Sequence, residues 1–278
     1  MPELPEVETI RTRLAPLVAG RRIEEADILD SRLTRPHDPA QVAGELADAE
    51  IATLDRRGKY LVFRFSDGRA LLVHLRMTGS FLVAPAGGLQ DDPHRRAVLR
   101  LDNGSDVAYR DVRRFGTWLL VEPEEVEPYL AFKNGPEPLG EEFTTRFLRE
   151  RLANRRAPIK GALLDQRTVA GLGNIYVDEA LWHARVHPLR PAGEIALNEL
   201  RRIHNGVRRA LEMGIARQGA TLRDYRTPEG GSGSMQAEFK VYGRDGGPCP
   251  RCGAPIEKTR AGGRGTWFCP VCQTPASS

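Results

Sequence analysis

The chain opens with apolar residues at helical intervals. Val7, Ile10, Leu14, Leu17 and Val18 share one face of a 3.6-residue period, and Gly20 stands where such a helix would end. Pro16 falls inside the stripe and is expected to kink or shorten it. From about Ile51 the pattern turns to strands. Residues 60–65 and 70–75 are β-rich runs joined by Ser66-Asp67-Gly68-Arg69, a hairpin signal. Residues 97–101 and 107–110 flank Asn103-Gly104, a second hairpin signal, and 117–121 reads as a further strand. Short strands with tight turns predict a sandwich or barrel-like β domain with a helix at its start.

Residues 122–140 hold four prolines and two glycines with little periodicity, which reads as an interdomain linker. Helical spacing then returns: Phe143, Phe147, Leu148 and Leu152 share a face, and a longer stripe runs from Leu197 to Ile215, closing near Gly219. A strand-like run, Phe239 to Arg244, leads into the last thirty or so residues. The expected architecture is α+β in two domains. Residues 1–127 form a β-sandwich with flanking helices, 128–140 a linker, 141–240 a helical domain and 241–278 a carboxy-terminal hairpin module.

Composition changes the picture only through charge. The overall balance of 278 residues is ordinary for a soluble globular protein, and no apolar run approaches the roughly 18 residues of a membrane span. The amino terminus lacks the apolar core of a signal peptide, so a cytoplasmic protein is expected. The net charge of +4 hides an asymmetry: residues 1–140 carry 19 Lys+Arg and 23 Asp+Glu, residues 141–278 carry 22 and 14. A basic second half suits a polyanion partner, a solvated basic surface being the alternative.

The strongest local chemistry lies at the carboxy end. Cys249-Pro250-Arg251-Cys252 and Cys269-Pro270-Val271-Cys272 are two C-x2-C pairs sixteen residues apart and use all four cysteines of the chain. That spacing reads as one tetrahedral structural Zn²⁺ site, since the alternative of two disulfides needs an oxidising compartment. Between the pairs, residues 260–266 look like a hairpin tip that the metal would fix, holding Arg264 against a phosphate.

At the amino end, Met1-Pro2-Glu3-Leu4-Pro5-Glu6 offers a nucleophile. Removal of Met1 would free the Pro2 amine, whose pKa of roughly 7.7–8.0 leaves a useful neutral fraction near pH 7. Such an amine can attack a sugar aldehyde carbon and form an iminium. The plain alternative is that Pro and Glu simply start a helix. Further on, Asp111-Val112-Arg113-Arg114-Phe115-Gly116 is an odd tip for a β domain, with an aromatic that need not be buried. Met77, in a turn after a strand, is by default a core filler.

Residue for residue, the first nine positions resemble the bacterial formamidopyrimidine-DNA glycosylases, and the resemblance extends along the whole chain. It implies a DNA-repair enzyme that excises oxidised purines and then cleaves the strand, with damaged double-stranded DNA lying across a cleft between the domains. By this resemblance Pro2 is the nucleophile, Glu3 the catalytic acid and base with Glu6 beside it, and Lys59 a proton carrier in β-elimination. Arg264 binds the lesion phosphate and serves the second elimination. Met77, Arg113 and Phe115 match an intercalating trio, and His94 matches a DNA contact more loosely. Lys160 and Asn174, around Gly171-Leu172-Gly173, match phosphate contacts of a helix–two-turns–helix. Arg155-Arg156 replaces lysines common in the family, which puts the role of Arg155 in doubt. Residues 228–236, rich in Gly and Ser, match a loop that orders over a flipped 8-oxoguanine. The resemblance implies a monomeric bacterial protein. Two alternatives remain: an endonuclease-VIII-like glycosylase for oxidised pyrimidines, disfavoured by Pro-Glu-Leu-Pro-Glu and the complete trio, and a catalytically silent damaged-DNA-binding zinc-finger protein, disfavoured by an intact Pro2 and Glu3.

Overall fold

The computed structural model describes residues 2–275 and separates the chain into two units. One takes Met1–Ala131 together with Gln218–Ser234; the other takes Phe132–Arg217 and Met235–Ser278.

In the first unit, α1 (Leu4–Val18) buries Val7, Ile10, Leu14 and Val18 completely. Pro16 does not end it. The proline lies in the last turn, so little of the backbone ladder is lost, and the Ala19 N–H closes the helix on the Ala15 carbonyl at 2.9 Å. The elements that follow are β1 (Arg21–Ile28), α2 (Pro39–Leu46), β2 (Glu50–Arg57), β3 (Tyr60–Phe65), β4 (Ala70–His74), β5 (Gly79–Pro85), β6 (Arg95–Leu101), β7 (Ser105–Asp111) and β8 (Thr117–Val121).

These strands hydrogen-bond in the order β5-β7-β6-β1-β2-β3-β4-β8, every pair antiparallel. β1 is the corner: Arg21 and Arg22 pair with β2, whereas Ile23 to Ile28 pair with β6 across a bulge between Ile23 and Glu25. The two halves so formed share one core. Phe63 of β3 and Phe81 of β5 lie 5.6 Å apart, and Tyr109 of β7 and Trp118 of β8 lie 5.5 Å apart. The sandwich expected from the strand pattern is therefore present, with α1 packed into the same core.

Residues 123–133, read from sequence as linker, form α3 (Pro123–Lys133). Pro123 occupies the start, where its missing N–H costs nothing, Glu124 and Glu125 lie in the first turn and Lys133 in the last. The second unit is built from α4 (Thr145–Leu152), α5 (Ile159–Leu164), α6 (Asn174–Ala184), α7 (Leu197–Ala216) and a hairpin of β9 (Glu257–Ala261) and β10 (Arg264–Phe268). The strand-like run from Phe239 is not a strand. The backbone N–H groups of Lys240, Val241 and Tyr242 all donate to the buried Glu179 carboxylate at 2.9–3.1 Å, so they are unavailable to a ladder. Residues 218–234, placed by chain order in the helical domain, pack instead with the first unit.

Candidate active site and nucleic-acid interface

The first turn of α1 is polar and buried at once. Pro2 is buried, and Glu3 and Glu6 are each 2% exposed. The Glu3 N–H donates to Glu6 Oε2 at 2.8 Å, and the other Glu6 oxygen accepts from the Ala220 N–H at 2.7 Å. A carboxylate taken out of water is costly unless it is bonded in this way. The same contact explains Gly219, whose φ is +78° and whose missing Cβ would lie 2.7 Å from Glu6. Removal of Met1 concerns a residue outside the described ones.

Lys59 occupies the two-residue turn that joins β2 to β3, and it is only 6% exposed. The turn is braced from α1: Glu8 accepts from Arg56 Nε at 2.8 Å, and Arg56 Nη1 donates to the Gly58 carbonyl at 3.1 Å. Burial alone would raise the Glu8 pKa, but hydrogen bonds and charge from Arg11 and Arg56 hold it below its ordinary value. His74, which pairs with Tyr60 across the β3–β4 ladder, was not singled out from sequence. Its Nδ1 accepts from the Arg76 N–H at 3.0 Å, so the proton of the neutral ring sits on Nε2. Burial, then the charges of Arg76 and Lys59, lower its pKa to about 3. His74 is therefore a neutral N–H donor near Lys59; the sequence signal available was its position beside the lysine's strand.

The structure brings the expected trio together. Arg113 Nη1 lies 2.9 Å from Met77 Sδ, and the Arg113 guanidinium sits 4.8 Å from the Phe115 ring centre. Met77 is not core filler: it is 40% exposed and Phe115 51%. Thr78 and Asp111 set the base of the tip. They bond each other, Thr78 Oγ1 accepts from the Arg113 N–H at 2.9 Å, and Asp111 Oδ2 accepts from the Gly116 N–H at 2.7 Å. Arg114 turns away to Asp30, whose pKa its hydrogen bond lowers. His94 stands behind this tip, its carbonyl accepting from the Asp111 N–H at 2.9 Å.

In the second unit the sequence reading of Lys160 needs correction. It is wholly buried and so does not itself present a cation to a phosphate. Its ammonium pairs with Asp178 at 2.8 Å and donates to the Gly265 carbonyl at 2.8 Å and Thr266 Oγ1 at 2.9 Å. Asn174, at the first turn of α6, donates from Nδ2 to the same Gly265 carbonyl at 3.1 Å. Lysine and asparagine thus hold β10 close to its turn, and the residue they position is Arg264, exposed beside the Gly262-Gly263 turn. Arg155 lies 3.5 Å from Asp165, whereas the neighbouring Arg156 is exposed and makes no ion pair among the described residues.

The four cysteine Sγ atoms lie within 4.8 Å of one another, and none is in a disulfide. A tetrahedral Zn²⁺ with bonds near 2.3 Å needs sulfurs roughly 3.8 Å apart. The Cys252–Cys269 separation of 3.5 Å meets that closely. Trp182 Nε1 donates to Cys249 Sγ and the Cys272 N–H to Cys269 Sγ, the kind of outer bonds that orient metal thiolates. The residues fit one structural zinc ion.

The buried Pro2 and Glu3, the exposed Met77/Arg113/Phe115 tip and the four-cysteine hairpin carrying Arg264 fit a DNA-processing protein. Three family models match successive parts of the chain: the formamidopyrimidine-DNA glycosylase N-terminal domain over residues 1–118, the H2TH domain of the same enzymes over 134–226, and a zinc finger found in FPG and IleRS over 246–275. The chain belongs to the formamidopyrimidine-DNA glycosylase family. It is 49% identical over 276 residues to the formamidopyrimidine-DNA glycosylase of Symbiobacterium thermophilum, covering 98% of this chain and 89% of that one. The Bacillus licheniformis enzyme is 44% identical, with 98% and 99% covered. Among solved structures, a Lactococcus lactis enzyme in complex with abasic-site DNA superposes with a TM-score of 0.91 at 39% identity, over 98% of this chain and 99% of that one. The Thermus thermophilus protein gives 0.87 at 40% identity, over 99% and 100%.

Proposed function

We infer that the chain is a bifunctional DNA glycosylase and AP lyase for oxidised purines, and that its own residues divide the work as follows. The neutral Pro2 amine attacks C1′ of the damaged nucleoside. The N–C1′ bond forms as the glycosidic bond breaks, and the bond's electron pair leaves with the base, which takes up a proton. Glu3, beside the nucleophile, supplies and removes the protons needed as the sugar ring opens. The iminium then acidifies the C2′–H bond. Loss of that proton to a base, with Lys59 as the carrier, expels the 3′ phosphate. A second proton loss, from C4′, expels the 5′ phosphate, with Arg264 bonding the phosphate oxygens. Water finally releases the sugar fragment and returns Pro2. The zinc ion, held by Cys249, Cys252, Cys269 and Cys272, gives the hairpin its shape and takes no part in these steps.

The observation that carries this reading is the burial of Glu3 and Glu6 at the start of α1. A glutamate recruited only to favour a helix start gains from the dipole at the surface and has no need to leave water. Duplex DNA carrying the lesion is the partner. Met77, Arg113 and Phe115 fill the gap left by an extruded nucleotide, with His94, Arg155 and Asn174 beside the strands and Lys160 acting behind Arg264. The same reading makes the protein a monomer working on bacterial DNA in the cytoplasm; among the described residues no helix is long and apolar enough to cross a membrane. Borohydride reduction on a duplex containing an oxidised purine should link the protein to DNA. Pro2→Gly should suppress that link. Undiminished trapping with a blocked amino terminus would refute the assignment.

A further inference from the structure

At the carboxy end of α6 the second unit holds a cavity of about 260 Å³ lined by His183, Arg185, Arg202, Asn205, Arg209 and Arg251. Four arginines line it and no acidic residue does. They come from three separate pieces of the chain: the cap of α6, the exposed face of α7 and the first zinc knuckle.

Two of the four are fixed in place. Arg202 Nε donates to the Ala184 carbonyl at 2.8 Å, and Arg251 Nη1 to the Trp182 carbonyl at 3.2 Å, so both satisfy the terminal carbonyls of α6. The Arg251 guanidinium also lies 4.0 Å over the Trp182 ring. Glu199, which reaches Arg202 at 3.6 Å, is already bonded to Arg190 at 2.5 Å. The side chains of Arg185 and Arg209 make no ion pair among the described residues. The lining imidazole records the field: burial, then the charges of Arg209, Arg251 and Lys240, bring the His183 pKa down to about 4.

Like charges gathered this closely repel one another, and an anion would relieve the repulsion. A planar carboxylate satisfies one guanidinium fork, whereas the tetrahedral oxygens of linked phosphates can meet several forks arriving from different directions. The cavity lies below the roughly 300–1,000 Å³ of a cleft for a drug-sized molecule, which favours a compact ligand. α6 has 11 residues, so at about 1.5 Å per residue the cavity stands roughly 15 Å from Asn174 at the other end of the helix.

We propose that this cavity is a second phosphate site, taking a compact run of phosphate groups at the end of α6 remote from Asn174. The phosphates belong either to DNA backbone beyond the lesion or to a free polyphosphate. The probe is tripolyphosphate, titrated calorimetrically into the zinc-loaded full chain after a short lesion duplex has covered its other basic surface. One equivalent should bind. Arg185→Gly with Arg209→Ala should weaken it by roughly tenfold or more. Glycine accepts the left-handed backbone of position 185, where φ is 58°, and residue 209 is exposed, so this variant should fold and excise its lesion normally. Lysine at both positions keeps the charge without the fork and should recover only part of the affinity. Absence of binding by the unaltered protein, or equal affinity in the double variant, overturns the proposal. Extending the duplex by a further helical turn on each side identifies the source. Displacement of tripolyphosphate assigns the site to DNA backbone; undisturbed binding assigns it to a free polyanion.

Discussion

The amino-terminal turn and the zinc hairpin solve opposite problems. At the amino end the polar groups are withdrawn from water: Glu3, Glu6 and Lys59 are all buried, and two backbone N–H groups hold the Glu6 carboxylate. On the hairpin Arg264 is exposed, and what is buried lies behind it: Lys160, Asp178, Thr266 and two of the four cysteines. Proton and nucleophile chemistry gains from a dry setting that tunes pKa values. Phosphate capture needs an open cation, so rigidity has to come from behind. The same residue type, lysine, therefore has two destinies: Lys59 sits buried at the turn between β2 and β3, and Lys160 serves as an internal strut.

Four experiments sharpen that contrast, from the largest expected effect to the smallest. Chelation should remove about one zinc per chain and abolish DNA binding while most of the helical circular dichroism persists, because the metal organises a local hairpin. A metal-free protein with full affinity would show that the hairpin stands unaided. Lys160→Met should come next. It strands the Asp178 carboxylate, a loss on the order of 3–5 kcal/mol by the usual cost of a broken buried pair. It should impair phosphate-dependent binding more than the chemistry of DNA already bound. If denaturation and binding both match the unaltered protein, the strut is dispensable.

Arg113→Ala should cost about 1–3 kcal/mol, and the loss should appear as a narrowed rate difference between lesions opposite cytosine and opposite adenine. An unchanged preference would leave the Met77–Arg113–Phe115 cluster as a wedge without a reader. The smallest effect near neutral pH is that of His74, whose titration matters only in acid. The folded-state pKa of His74 is depressed to about 3, against about 6.5 for the free ring. Its contribution is therefore present above pH 6.5 and is lost as pH falls toward 3, because the unfolded chain takes up the proton first. Replacing His74 with Asn should flatten the stability profile of the first unit across that window. An identical slope would mean that other groups set the acid limit.

Much of this was legible in the chain because the signals were periodic or stoichiometric. The α1 stripe, the hairpins around Asp67-Gly68 and Asn103-Gly104 and the cysteine pairs each carry a local physical cause. β1 was not visible, since only Ile23 of its eight residues is buried and its corner role comes from pairing at long range. α2 had a readable start, with Asp38 accepting from the Ala40 and Gln41 N–H groups ahead of Pro39, but it is short and buries only Val42 and Leu46. The burial of Lys160 was invisible because its partners lie 18 and about 105 residues away. The Gly/Ser segment looked too free to settle in one conformation. Here it is tied: the Gly233 N–H donates to Thr221 Oγ1 and the Gly231 N–H to Thr227 Oγ1, each at 3.0 Å. Shortening 230–234 still distinguishes the proposed roles. A capping loop predicts slower 8-oxoguanine release with abasic-site cleavage nearly unchanged, and a parallel fall in both would make it a strut.

Consecutive residues on an α-helix point about 100° apart. Asp178 and Glu179 use that angle: one carboxylate accepts the Trp267 N–H at 3.1 Å, and its neighbour gathers the three amides from Lys240 to Tyr242. The hairpin and the segment leading to the zinc knuckles are thus both indexed to the rotation of a single helix, like two pins on one shaft. A residue inserted upstream in α6 would turn both pins away together, however conservative its side chain. α6 must therefore keep its residue count between these two carboxylates and the rest of the helix for both attachments to form at once.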